Sequence, residues 1–185
     1  RCLRRMKYMQ NGSFKSNKLM QVTIVASLIF LSGFWLTTAL MYFAKMDLTP
    51  ASVVAYYNGA EADFTQPRTY GSMLEVTHGH LPVMAVVALL LTHLFIFTSF
   101  SNKVKLTAIA AFFAAELAGE AESWQVRFVH PGLAWMKSIA FLTLEISMAF
   151  VIFALLRLML KPPVVAAGQK TGKKTPMPLE NMPHN

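Results

Sequence analysis

The sequence predicts an all-α integral membrane protein, a four-helix bundle crossing the bilayer four times with both termini cytoplasmic. Three observations carry this. Of the 185 residues, 55% are hydrophobic and only 14% charged, against about a quarter charged in soluble domains. Charge-poor apolar runs of the roughly 20 residues that a crossing needs recur along the chain. Lys and Arg also sort by side: thirteen of the seventeen fall in residues 1–18, in the turn 101–105 and from Arg157 onward, as expected of cytoplasmic segments. The net charge of +8 therefore reads as membrane topology and not as a nucleic-acid surface.

In order, residues 1–18 are expected to form a basic cytoplasmic N-terminus, and because the chain opens on Arg1 and not Met its true start is expected upstream. Residues 19–43 run apolar without one charge, too long for a cleaved signal peptide, and form a retained first span. Residues 45–72 are broken by Pro50, Gly59 and Pro67 and carry Asp47, Glu61, Asp63 and Arg68, so they form an outer loop with a short interfacial helix. Its aromatics Tyr56, Tyr57, Phe64 and Tyr70 belong at headgroup level. The second span covers about 73–100, the SNKVK turn reverses the chain, and the third runs about 104–123 before the segment to His130 turns polar. Pro131 restarts the chain into a fourth span, about 132–160, and residues 161–185, rich in Lys, Gly and Pro, form a flexible cytoplasmic tail. The lone Cys2 and the lack of CxxC or CxxCH exclude an intrachain disulfide, a zinc ribbon and a covalent c-type haem. No nucleophile–base pair, phosphate loop or zinc-protease motif points to hydrolysis or phosphoryl transfer.

The chemistry is expected on the second span, where Glu75–His93 holds three of the five histidines. Ionisable groups in a membrane helix face a bundle interior, a cavity or a cofactor. At about 100° per residue, Glu75, His78, Thr92 and His93 share one face, and His80 looks the other way. Histidines gathered at the outer end of apolar helices suit a b-type haem clamped by two axial imidazoles. His78 is preferred to His80 for one ligand, His130 returns at the same depth as the other, and Arg68, Arg127 and Lys137 are cations for the propionates. A non-haem iron or copper site is the alternative: Glu75 and His78 form an E-x-x-H pair, and Glu116 and Glu120 lie one turn apart. Such a carboxylate site would lack the second E-x-x-H of a ferritin-like centre. His93 and Glu145, both expected to be buried in their spans, are candidates for proton exchange with a quinone or for contact with another subunit. Ala108, Ala110, Ala111, Ala114, Ala115, Ala118 and Gly119 give the third span a small-residue face for close helix packing.

In this layout residues 19–160 resemble the small four-helix membrane b-type cytochromes that pass electrons between quinol and a multihaem or iron–sulfur partner. The His78–His93 spacing of 15 matches one half of a di-haem arrangement, and no second pair accompanies it. YGSMLEVTHGH and FVHPG are also similar to a family of bacterial membrane proteins without an assigned activity. The expected function is a membrane electron-transfer subunit of the bacterial inner membrane. It would bind one haem near the outer face and work with other membrane subunits, a periplasmic redox protein and quinone. The competing class is a cofactor-free structural subunit of a larger complex.

Overall fold

The computed structural model describes residues 18–61 and 64–160, and the basic N-terminus and the Lys-rich tail read from the sequence lie outside residues 18–160. The described chain is helical: α1 (Lys18–Lys45), α2 (Pro50–Asn58), α3 (Tyr70–Phe95), α4 (Asn102–Phe128), a 3-10 turn (Pro131–Leu133) and α5 (Ala134–Leu160). α1, α3 and the stretch Pro131–Leu160 are each long and apolar enough to cross a membrane. The chain is thus an all-α membrane protein. α4 is as long as its neighbours but carries Glu116, Glu120 and Glu122 along its middle.

α2, α3 and α4 start where the sequence offers a cap. Thr49 precedes Pro50, which suits the first turn because its missing N–H would have no helical partner there. Thr69 Oγ1 accepts the Ser72 amide at 3.2 Å, and Ser101 accepts that of Val104 at 3.4 Å. Lys105 Nζ closes the α3–α4 turn from the other direction, donating to the Ile96 carbonyl at 2.7 Å. Gly59 ends α2 at φ +80°, where a β-carbon would lie 2.5 Å from the Thr65 carbonyl oxygen, so both backbone angle and space require glycine.

α5 is the central element, packing on α1, α2, α3 and most extensively on α4; α4 also packs on α3 and α2. One core cluster fills the end of the bundle near the α3–α4 turn, around Leu28, Met84, Leu91, Phe95, Phe112, Met148 and Leu155. A second fills the opposite end beneath α2, around Tyr42, Met46, Val53, Tyr57, Met73, Val126 and Phe141. Tyr42 and Phe141 stack there with ring centroids 3.7 Å apart. Large apolar side chains such as Phe30, Ile146 and Phe153 are exposed on the outside, the surface that lipid covers. The helices therefore cohere by packing and hydrogen bonds more than by expulsion of apolar groups from water.

Candidate functional site

Between the two clusters lies a cavity of about 290 Å³ whose walls come from α1, α2, α3, α4 and α5. α3 presents Thr77 and His80, three residues apart and so on one face; α4 presents Glu116 and Glu120, one turn apart, followed by Ser123; α5 presents Lys137. His80 Nδ1 lies 2.6 Å from Glu120 Oε1 and 3.4 Å from Glu116 Oε1. The second oxygen of Glu120 is held as well. Thr77 Oγ1 donates to Glu120 Oε2 at 3.0 Å, and Trp124 Nε1 donates to Thr77 Oγ1 at 3.0 Å.

Lys137 supplies the internal cation. Its Nζ donates to the Gly119 carbonyl at 2.6 Å and to Ser123 Oγ at 2.8 Å. Ser123 passes its own proton to the Gly119 carbonyl at 2.9 Å, which leaves the Tyr57 hydroxyl to donate to Ser123 at 2.9 Å. Burial pushes the Tyr57 hydroxyl up to about 12, with the Ser123 bond pulling the other way.

His80, Glu116 and Glu120 each offer a ligand atom, and the three lie within 4.8 Å of one another. Glu116 Oε1 is buried and makes no hydrogen bond. Buried carboxylate oxygens are normally paired, so this atom calls for a proton or a cation. One imidazole and two carboxylates form a donor set that suits non-haem iron or manganese better than copper(I) or a thiolate-type zinc site.

The residues singled out from the sequence divide sharply. His80, Glu116, Glu120, Lys137 and Arg68 line the cavity. His78, two residues from His80 and so about 200° around the helix, is exposed together with Glu75. His130 is exposed too, and its Nδ1 accepts the Gly132 amide at 2.9 Å as the cap of the 3-10 turn. Neither His78 nor His130 lines the cavity. Arg127 supports the site indirectly, its Nε donating to the Arg68 carbonyl at 2.6 Å. His93, expected inside, is exposed with its ring edge-on to Phe97 at 5.6 Å. Glu145 is buried with Oε1 lacking a hydrogen bond, and Trp35 Nε1 donates to its backbone carbonyl at 3.2 Å.

Thr77, Ser123, Trp124 and Tyr57 were not picked out as site residues from the sequence. Helical spacing was the available signal: Thr77 lies three before His80, and Ser123 and Trp124 lie three and four after Glu120.

The sequence model of a family described as a transmembrane helical domain matches residues 47–166. That range holds every ligand atom and hydrogen-bonding partner of the site and leaves α1 outside it. No curated protein and no solved structure matches the chain.

Proposed function

The chain belongs to this family of transmembrane helical domains, and from that premise we propose that it holds one non-haem metal ion, iron by preference, on His80, Glu116 and Glu120. The observation that carries the reading is Glu116 Oε1, buried without a hydrogen bond and facing an imidazole nitrogen and a second carboxylate. With two carboxylates and Lys137 the cluster is net negative by one charge when His80 is neutral, and a divalent cation relieves it. Thr77 and Trp124 act behind the ligands, holding Glu120 in place as outer hydrogen bonds do in metal sites.

Iron held by His80, Glu116 and Glu120 would supply one-electron redox chemistry. The electron-transfer role read from the sequence is thereby kept, with a non-haem ion as the carrier. A haem on His78 and His130 is the reading the geometry favours less, since both imidazoles are exposed and outside the cavity. The membrane partners and quinone inferred from the sequence belong to this proposal too, because a buried one-electron centre needs another redox molecule to receive its charge. α4 is taken as the fourth crossing, with both termini on the Lys- and Arg-rich cytoplasmic side.

Elemental analysis and visible spectra of the chain purified from a mild detergent test the proposal. About one iron or manganese per chain is expected, without porphyrin bands, and His80→Ala or Glu116→Gln should reduce the metal to background. Sharp reduced haem bands that vanish in His78→Ala or His130→Ala, or metal content unchanged in the cavity variants, would overturn it.

A further inference from the structure

The mouth of the same cavity is electrostatically unlike its floor. Lys45, at the end of α1, and Arg68, just before α3, both line it and lie against one ring: Lys45 Nζ is 6.0 Å and Arg68 Cζ 4.5 Å from the Tyr56 centroid. Arg68 is fixed at its backbone, its N–H donating to the Tyr57 carbonyl at 2.9 Å and its carbonyl taking the Arg127 Nε bond. Among the described residues the only carboxylate ion pairs are those of His80, and neither mouth cation has an acidic partner within 4 Å among those residues. Glu116 and Glu120, the nearest acids in the cavity, are turned to His80 at the floor.

The side wall is apolar and open. Phe34 and Met41 of α1 face Met73 and Val76 of α3 across the cavity, backed by Phe141 and Leu144 of α5. α1 packs chiefly on α5. Met41 and Val76 line the cavity and yet are 57% and 61% exposed, so the space between α1 and α3 opens toward the hydrocarbon. Two cations beside a tyrosine, above an apolar slot between two membrane helices, complement an anionic headgroup carrying an acyl chain.

We propose that this mouth is a binding site for an anionic phospholipid, its phosphate between Lys45 and Arg68 and one acyl chain in the slot between α1 and α3. The slot is what separates a lipid from a free phosphate, because a bare anion would use the cations and leave the apolar walls unfilled. The proposal is independent of the metal, whose ligands lie on the cavity floor.

Native mass spectrometry of the full chain, offered equal amounts of phosphatidylglycerol and phosphatidylcholine, reads the site directly. Each interfacial cation contributes about a fivefold preference, so the pair should favour phosphatidylglycerol on the order of 25-fold. Lys45→Gln with Arg68→Gln should bring the two lipids to near-equal occupancy, and Arg68→Lys should keep most of the preference. Lys45 is exposed, so Lys45→Gln alone, about fivefold weaker, serves if the double variant does not fold. Equal occupancy in the unaltered chain, or a preference that survives the double variant, would sink the proposal. So would displacement of phosphatidylglycerol by millimolar inorganic phosphate, which would assign the cations to a free anion. Metal content measured on the same samples separates failure here from failure of the metal site.

Discussion

Thr77 carries no charge, yet with His80 it is one of two side chains through which α3 fixes the Glu120 carboxylate. Replacement by the near-isosteric Val leaves both Glu120 Oε2 and Trp124 Nε1 without this partner. Losing a hydrogen bond behind a metal ligand costs about 10–100-fold in affinity, so Thr77→Val should weaken iron binding by that factor in chelator competition. Thr77→Ser should restore it, and His78→Ala, one residue further on but exposed, should leave it unchanged. A loss in His78→Ala equal to that in Thr77→Val would place the ligands on the other face of α3. Tyr57 offers a measurement that does not depend on metal. Its folded value of about 12 lies above the roughly 10 of an unfolded tyrosine. Its contribution is therefore fully present below pH 10 and is lost as pH rises through 12. Helical signal followed from pH 9 to 13 should show an alkaline loss in this window that Tyr57→Phe diminishes; an identical profile in the variant would mean that another group governs the loss.

At the scale of the element, α4 owes its place to small residues. Ala108, Phe112, Ala115, Glu116 and Gly119 recur at helical spacing on its inner side, and a β-carbon at Gly119 would meet Ala140 at 4.0 Å and Lys137 Nζ at 3.8 Å. Ala114 and Ala118, in the same alanine-rich run, are exposed. Ala115→Leu should therefore force α4 from α5 and destabilise the bundle by about 1–3 kcal/mol, and Ala118→Leu should be near neutral, both read as thermal unfolding in detergent. Equal effects would mean that the alanine face packs elsewhere. The same comparison explains why the site was only partly legible. Soluble helices reveal their inner face by being apolar on one side, but α3 meets lipid outside and protein inside, and both faces are apolar. The stripe Met73, Thr77, His80, Met84, Val87, Leu91 and Phe95 points inward, yet nothing in hydropathy separates it from exposed Val76, Val83 and Leu90. The face that Glu75, His78 and His93 share is thus the exposed one. Glu116 and Glu120 were legible as a pair because carboxylates in a membrane helix stand out against any background; that His80 from α3 meets them depends on the α3–α4 packing, which no local pattern encodes.

For the whole molecule, helix positions followed from apolar runs and the turn formers between them, whereas the crossing of α4 rests on how its charges are disposed. Its 27 residues span about 40 Å at 1.5 Å per residue, more than the roughly 30 Å of a hydrocarbon core. Lys103, Lys105 and Arg127 lie within a turn or so of its ends, where long cationic side chains reach headgroups. Glu116 and Glu122 are buried, and Glu120 is held by Thr77 and His80, so no carboxylate along the middle needs to face lipid. This disposition removes most of the cost that its low hydropathy suggests. If α4 crosses, its two ends lie on opposite sides of the membrane. Single cysteines placed at Asn102 and Val129, on a Cys2→Ser background, should then react with an impermeant maleimide from opposite sides of sealed vesicles, Asn102→Cys from the cytoplasmic face beside Lys103 and Lys105. Val129 is 74% exposed, so its cysteine should react readily once the outer face is offered. Reaction of both from one side would lay α4 along the surface and break the bundle that brings Glu116 and Glu120 to His80. Opposite-side labelling would make the cavity a membrane-embedded site flanked by four crossings.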